Sequence, residues 1–329
     1  MGSFSFLVVG DWGRQGKQHQ GAVAAGLASL ASLHAFVVST GDNVYPRGLT
    51  SADDPRWEHT FSDVYSHPAL LPLPWMAVLG NHDWYVKVSA QWGVRDARWH
   101  AAMSFSDGAA ARSDHGSFRG APLVSLFYVD TSPWIEEYRA AGEMDWFANG
   151  IKPHSPGVWD WAAWEQAQLD RLQRAMESSS ARWKVVVGHH AIYSYAREHG
   201  SSVELARING VLRRAGAAVY LNGHDHNLQV IQSPSQSNEA EPLYVTSGAG
   251  SAVRDSVEDP GDGSLLFSFG QSGFNSVAVS SEALVVRSHD AAGTLLHSVE
   301  VPWAPTPQCG TAALTQLDSR CELPLGMER

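Results

Sequence analysis

Short apolar runs recur along this chain, and each of them ends near a glycine or a small polar residue. The runs are FSFLVVG, AFVVST, WMAVLG, LVSLFYVD, WKVVVG, AAVYLNG and PLYVTSG. Runs of this length, bounded by turn-forming residues, are typical of buried strands. Between several of them lie stretches with alanine, leucine and arginine at helical spacing, namely QHQGAVAAGLASLAS, WEQAQLDRLQRAME and VELARINGVLRRAG. The alternation of strand and helix predicts an α/β layered fold.

After Ser247 the pattern changes to closely spaced strand candidates, LLFSFG, NSVAVSS, ALVVRSHD and LLHSVEV, which predict an antiparallel sheet. Residues 132–160 are too long for a simple connector, and they contain Trp134, Trp146 and Trp159. We predict that they form an irregular insertion that covers a site, or else a self-packed surface loop. We expect a catalytic domain at 1–301 and a proline-containing tail at 302–329.

Composition excludes several classes of protein. The formal net charge is -11, and no cluster of lysine and arginine offers a basic face to nucleic acid, so we expect no nucleic-acid partner. No apolar run approaches the roughly 20 residues of a membrane span, so we expect no membrane partner, and FSFLVVG is too short for a signal peptide. The two cysteines, Cys309 and Cys321, lie in the tail and are either paired or free, so any metal must be held by oxygen and nitrogen ligands.

Polar side chains with ligand chemistry follow five of the predicted strands. The motifs are GDWG, GDNVY, GNHD, GHH and GHDH, and they carry Asp11, Asp42, Tyr45, Asn81, His189, His224 and His226. In open α/β sheets, functional sites form from the loops at the carboxyl ends of the strands. A glycine in each motif lets the chain turn sharply, so that a short side chain points back over the sheet edge.

Any one of these motifs alone is better explained as a turn or a helix cap than as a site. Five such motifs after five strands favour a shared functional site instead. Two aspartates, a tyrosine, an asparagine and three histidines are too many donors for one ion. They suit two ions that share a ligand, at the separation of ~3.5–4 Å found in two-metal phosphoester sites.

The five motifs, in this order, resemble the metal-binding blocks of the purple acid phosphatases. Further similarity to the small tartrate-resistant branch lies in FSDVYS, LPWMAVLGNHD, REHG, AAVYLNGHDHNLQ and YVTSGAG, and the resemblance covers Phe4 to about Val301. It implies a metallophosphoesterase sandwich of four layers, in which two mixed β-sheets are flanked by helices. The body disulfide of the mammalian branch has no counterpart here, because the matching regions lack cysteine.

The resemblance also implies a role for each donor. Asp11, Asp42, Tyr45 and His226 would bind Fe(III), and Asp42, Asn81, His189 and His224 would bind Fe(II), Zn(II) or Mn(II), so that Asp42 bridges the two metals. Carboxylates and a phenolate are hard donors suited to Fe(III), which agrees with this division. His224 and His226 then serve different metals, and a loop must fold them toward neighbouring ions.

The resemblance places two more histidines near the substrate. His82 would protonate the leaving group or hold a phosphate oxygen, with Asp83 expected to orient its ring, and His199 of REHG would contact or protonate the substrate. His190 either touches phosphate or makes a structural hydrogen bond, and the sequence leaves both open.

The implied function is acid phosphatase activity on phosphate monoesters by metal-hydroxide attack, in a protein that binds inorganic phosphate and is expected to be a monomer. Action on phosphodiesters or phosphoproteins, a non-hydrolytic iron or redox protein, and a degenerate member kept for protein binding are the alternatives. The family suggests a secreted, lysosomal or vacuolar compartment, but no glycosylation sequon is present and the compartment stays open.

Overall fold

The computed structural model describes residues 3–101, 111–141, 160–233, 241–254 and 256–303. The strands are β1 (Phe4–Val9), β2 (Val37–Ser39), β3 (Trp75–Ala77), β4 (Trp99–Ala101), β5 (Ala111–His115), β6 (Val124–Tyr128), β7 (Trp183–Val187), β8 (Val219–Asn222), β9 (Leu228–Gln232), β10 (Leu243–Ser247), β11 (Leu265–Phe269), β12 (Gly273–Val279), β13 (Ala283–Asp290) and β14 (Leu295–Pro302). The α-helices are α1 (Gln20–Leu30), α2 (Asn81–Trp84), α3 (Ser89–Gly93), α4 (Glu136–Ala141), α5 (Trp161–Glu177) and α6 (Ala206–Arg214).

The strands form two mixed sheets of seven strands each. The first sheet has the order β14-β13-β12-β1-β2-β3-β4, and the second has the order β11-β9-β10-β8-β7-β6-β5. Strands β1, β2, β3 and β4 pair in parallel in the first sheet, and β6, β7, β8 and β10 pair in parallel in the second. The central parallel strands of both sheets thus bring their carboxyl ends, and the loops that follow, to one edge.

The two sheets pack face to face through alternate residues of their strands. Phe6 and Val8 of the first sheet share a buried cluster with Val185 and Val187 of the second. Their neighbours in the chain point to the opposite face, because successive side chains on a strand alternate. Each such buried aliphatic or aromatic side chain stabilises the fold by about 1.5–3 kcal/mol relative to its exposed state.

Helices cover the outer faces of both sheets and complete four layers. Val23 and Leu27 of α1 pack on Leu7 and Val9 of the first sheet, within an aromatic cluster that includes Trp12. On the second sheet, α5 and α6 contribute residues to the cluster around Val186 and Tyr220, namely Trp164, Leu169, Leu172, Met176, Ile208, Val211 and Leu212. Asp160 precedes helix α5, and its side chain accepts a hydrogen bond from Ala163 N at 2.9 Å and so caps the first turn. The predicted fold class is therefore confirmed.

The antiparallel pairing predicted after Ser247 is present in β12, β13 and β14, but the four strands do not form a sheet of their own. Strand β12 pairs antiparallel with β1 and extends the first sheet through β13 and β14, whereas β11 pairs antiparallel with β9 of the second. Pairing in this way covers edges that β1 and β9 would otherwise expose. The strands β4, β5 and β9 were not predicted.

Parts of the predicted insertion and tail can be located. Within 132–160, a 3-10 turn at Ser132–Trp134 leads into α4, and Trp134 is buried in the core rather than placed over a site. Trp146 and Trp159 lie outside the described residues, as do Cys309, Cys321 and the tail from residue 304. No helix of the described residues is long and apolar enough to cross a membrane.

Candidate metal centre

The loops that follow β1, β2, β3, β7 and β8 converge between the two sheets, and they carry all seven predicted donor residues. Backbone hydrogen bonds join these loops directly: Asp11 N donates to Gly41 O at 2.9 Å, and Gly223 N donates to His189 O at 2.9 Å. All seven side chains are buried. The post-strand position of each residue therefore brings them together as predicted.

Three of the donor residues hold a left-handed backbone, with φ of 59° at Asp11, 53° at Asp42 and 70° at His224. Aspartate and histidine adopt this region more readily than most residues, yet at a cost that the surrounding structure must offset. This conformation turns each side chain back toward the gap between the sheets.

A first group of donors surrounds the Tyr45 hydroxyl. Its oxygen lies 2.6 Å from Asp42 Oδ2, 3.1 Å from Asp11 Oδ1 and 3.1 Å from His226 Nε2. Ligand atoms that each stand about 2.0–2.2 Å from one first-row metal ion lie about 3 Å from one another. Three oxygens and one imidazole nitrogen at these separations fit a single ion. His226 Nδ1 is buried without a hydrogen-bond partner among the described residues.

A second group lies beside the other oxygen of Asp42. His189 Nε2 is 3.1 Å from Asn81 Oδ1 and 3.5 Å from Asp42 Oδ1. His189 Nδ1 donates to Thr40 O at 2.8 Å, which orients the ring so that Nε2 faces the group. The His224 ring lies 5.1 Å from the His189 ring between centroids. Asp42 thus turns one oxygen to each group, and His224 and His226 belong to different groups.

The charges of the site call for cations. Burial raises the pKa of Asp11 to about 8, with Asp42 adding to the rise, whereas His189 and His82 hold the pKa of Asp42 near 2 against the effect of burial. Burial, assisted by both carboxylates, raises the pKa of Tyr45 well above its ordinary value. Buried acids in this arrangement bind cations in exchange for protons. The residues present therefore fit a pair of metal ions.

Two of the donor histidines, His224 and His226, are in the protonation state that a ligand needs. Burial lowers the pKa of His224 well below its ordinary value, and it lowers the pKa of His226 as well. Both rings are therefore neutral, and a neutral imidazole is the form that coordinates a metal.

His82 lies beside the first group, with its ring partly exposed. His82 Nδ1 donates to Pro46 O at 2.7 Å, and His82 Nε2 lies 3.9 Å from Asp42 Oδ2. The ring contacts that of Tyr45 at 4.3 Å between centroids. The backbone carbonyl fixes the tautomer and leaves Nε2 facing the open side of the site.

Asp83 does not orient His82, contrary to expectation. Its carboxylate is buried and accepts hydrogen bonds from the backbone N–H groups of Asn43, Val44 and Gly80 at 2.8–3.1 Å. These bonds hold the loop between Asp42 and Tyr45 against the turn that carries Asn81. The Asp83 carboxylate therefore stabilises the backbone of this loop, and Pro46 O orients the His82 ring.

His199 and His190 both contact the ring of His224. The exposed His199 ring lies 4.1 Å from it, and the buried His190 ring lies 4.4 Å from it. Thr131 Oγ1 accepts from the backbone N–H groups of His189 and His190, at 3.2 and 2.9 Å, so its own hydrogen is directed to His190 Nδ1 at 2.8 Å. The structural hydrogen bond of His190 is therefore present, and Nε2 carries the ring proton.

Comparison with known proteins decides the family. The calcineurin-like phosphoesterase family matches residues 4–228. Purple acid phosphatase 4 of Arabidopsis thaliana is 37% identical over 310 residues, which cover 90% of this chain and 83% of that protein. The chain belongs to the purple acid phosphatases. Tartrate-resistant acid phosphatase type 5 of Mus musculus is 31% identical over 321 residues, 92% of this chain and 91% of that protein.

Solved structures show that other purple acid phosphatases and more distant proteins share the fold. A purple acid phosphatase from yellow lupin seeds aligns with a TM-score of 0.64 at 14% identity, over 96% of this chain and 57% of that one. GAP50, described as the anchor in the inner membrane complex of Plasmodium, aligns with a TM-score of 0.73 at 22% identity, over 93% of this chain and 90% of that one. At these identities the likeness concerns the fold alone.

Sequence reasoning missed one residue of this purple acid phosphatase site. The Arg14 guanidinium lies over the Tyr45 ring, with its central carbon 3.6 Å from the ring centroid. Arg14 directly follows the GDWG motif, but its side chain is not a metal donor, so a search for post-strand ligands passes over it. The sequence signal that could have identified it is the position of this arginine directly after a predicted metal-binding motif.

Proposed function

We propose that this chain is an acid phosphatase that hydrolyses phosphate monoesters at a binuclear Fe(III)–M(II) centre, with Fe(II), Zn(II) or Mn(II) as the divalent ion. The observation that carries the proposal is the position of Asp42. Its two carboxylate oxygens face two separate donor groups, one containing the Tyr45 hydroxyl and the other containing His189 and Asn81. Shared carboxylates of this kind are typical of two-metal phosphoester sites.

The donor chemistry supports the division of the metals. Asp11, Asp42, Tyr45 and His226 would hold Fe(III), because three hard anionic oxygens suit a highly charged ion. Asp42, Asn81, His189 and His224 would hold the divalent ion, for which two imidazoles and an amide oxygen are suitable ligands. When both ions are bound, they offset the charge of the phosphate and acidify water, which supports hydrolysis at low pH.

The protein side chains act at the leaving group. The Nδ1 proton of His82 is occupied by Pro46 O at 2.7 Å, so any proton that His82 exchanges with substrate moves at Nε2. We propose that protonated Nε2 donates to the departing alkoxide. His199, which is exposed and lies tilted against the His224 ring, would contact the phosphate or its ester group from the divalent side.

Substrates with different leaving groups test this role of His82. The metal-loaded protein is assayed against pH with phenyl phosphate, p-nitrophenyl phosphate and bis-p-nitrophenyl phosphate, and metals are counted per chain. We expect hydrolysis of the two monoesters with an acidic optimum. His82→Ala should lose ~10²–10⁴-fold in kcat on phenyl phosphate, and much less on p-nitrophenyl phosphate, whose leaving group needs no proton.

The exposed His59, which pairs with Asp63 and lies outside the donor groups, provides a matched control, and His59→Ala should retain full activity. Equal losses on both monoesters would assign His82 to binding instead of proton transfer. Faster turnover of the diester than of the monoesters would favour a phosphodiesterase.

A further inference from the structure

Arg14 makes the shortest contact between an arginine and an aromatic ring in the described residues, at 3.6 Å from the Tyr45 centroid. Some of the other arginines that lie over rings have a carboxylate partner: Arg98 lies over Phe61 and pairs with Asp96 at 2.8 Å. In the described parts of the chain, Arg14 forms no ion pair. Its charge is therefore not neutralised by a neighbouring carboxylate and acts on the tyrosine ring.

Hydrogen bonds fix Arg14 at both its backbone and its side chain. Arg14 N donates to Gln20 Oε1 at 3.0 Å, and Gln20 is fully buried at the start of α1. Arg14 Nε donates to Ser251 Oγ at 3.2 Å, and that hydroxyl in turn donates to Asp11 O. The guanidinium is thus tied to the loop that carries a proposed iron ligand, and its position over the ring is defined by the fold.

A guanidinium over a ring face is attracted by the negative charge of the π-system. The attraction grows when the ring belongs to a phenolate, because the ring then carries a full negative charge. The planar guanidinium also stacks flat against the ring, which an ammonium cannot do.

We propose that Arg14 is a positioning residue that holds the Tyr45 ring and places a positive charge against its face, and thereby tunes the iron–phenolate interaction. The inference rests on the proposed function, since it takes Tyr45 as an iron ligand. A positive charge next to the ring stabilises the filled phenolate orbitals more than the more distant metal orbitals. Charge transfer from phenolate to iron then requires more energy, and the iron is easier to reduce.

The visible spectrum and the Fe(III)/Fe(II) potential of the metal-loaded protein test this role. Arg14→Gln removes the charge but keeps a side chain that can reach Ser251. We expect its charge-transfer band to move to longer wavelength and its reduction potential to fall. Arg14→Lys retains the charge without the stacking, and we expect a smaller shift of the band and of the potential in the same direction. This variant also tests the proposal if Arg14→Gln does not bind iron.

Arg47→Gln is the matched control. It removes the same charge two residues from Tyr45, but its guanidinium lies over Tyr85 at 5.2 Å, so we expect the band to stay in place. A purple wild type with an unmoved band in Arg14→Gln and Arg14→Lys overturns the role of Arg14 and leaves the metal centre intact. So does a rise in KM without a spectral change, which would assign Arg14 to substrate. An iron-loaded but colourless wild type overturns both proposals through Tyr45.

Discussion

Single glycines determine how closely the donor loops approach one another. A Cβ atom on Gly80 would lie 2.1 Å from Asp42 Oδ1, and one on Gly223 would lie 2.4 Å from Asp11 Oδ2. Both distances are far inside van der Waals contact. The position of the Asp42 carboxylate between the two donor groups therefore depends on Gly80, which has no side chain.

Gly80→Ala tests this dependence. We expect the alanine methyl group to displace the Asp42 carboxylate and to weaken metal affinity by about 10–100-fold, as changes around metal ligands commonly do. Metal titration followed by calorimetry measures the loss. Gly21→Ala is the control, because its Cβ would meet Gly16 O at 3.5 Å, an ordinary contact, and it should bind metal like the wild type. Unchanged affinity in Gly80→Ala would show that Asp42 has room to move.

The donor residues could be predicted from sequence, and the residues that support them could not. Asp11, Asp42 and His189 stand directly after strands, so their convergence follows from the parallel order of the strands. The roles of Asp83 and Arg14 depend on which backbone amides and which ring face lie opposite them in the folded chain. Those are tertiary contacts, which no local pattern specifies.

Among the elements, α2 is attached to the second sheet through a buried carboxyl group. Trp84 Nε1 of α2 donates to Asp130 Oδ2 at 2.8 Å, in the loop after β6. Burial raises the pKa of Asp130 to about 8. The folded state therefore holds a proton on Asp130 between about pH 4 and pH 8, whereas the unfolded chain releases it near its ordinary pKa of 3.8.

The raised pKa of Asp130 makes the free energy of unfolding depend on pH. Because the folded state binds the extra proton, the contribution of Asp130 to the free energy of unfolding falls as pH rises from about 4 to 8, by about 1.4 kcal/mol per pH unit at most. In Asp130→Asn this decline should be absent, since the amide is neutral throughout. Guanidinium denaturation at pH 5 and pH 7 should show the variant gaining stability relative to wild type at the higher pH. A difference between the two proteins that does not change with pH would mean that Asp130 is ionised in the folded state.

The long helices and most of the apolar strands were predictable, and the polar strand β5 was not. Helices α1, α5 and α6 and the apolar strands have clear periodicity, whereas β5, with the sequence ARSDH, is polar and is defined by its pairing with β6. The division of the C-terminal strands between two sheets likewise depends on which edges are open, and this is a property of the assembled sheets.

At the scale of the whole molecule, the candidate centre joins the two halves of the sandwich. The first sheet supplies Asp11, Asp42, Tyr45 and Asn81, and the second supplies His189, His224 and His226. Ions held between them bind the folded state and not the separated sheets. Metal binding should therefore stabilise the entire fold.

Removal of the metals should lower the melting temperature. At a free metal concentration 100 times Kd, one bound ion contributes about 2.7 kcal/mol, which for a chain of this size corresponds to a fall of about 4 °C per ion on chelation. Differential scanning calorimetry with and without chelator measures it. The double variant His189→Ala, His226→Ala should show a much smaller effect of chelator. Equal melting temperatures for the loaded and stripped wild type would indicate that no ion bridges the sheets.

The visible spectrum of Tyr45→Phe, recorded together with its metal content, tests the central claim most directly. We expect the iron-loaded wild type to have a charge-transfer band, the variant to lose that band while retaining most of its metal, and Tyr85→Phe to keep it. These results would identify the Tyr45 hydroxyl, 2.6 Å from Asp42 Oδ2, as the phenolate ligand of iron. A band that survives in Tyr45→Phe, or a wild type that binds iron without colour, would contradict the account.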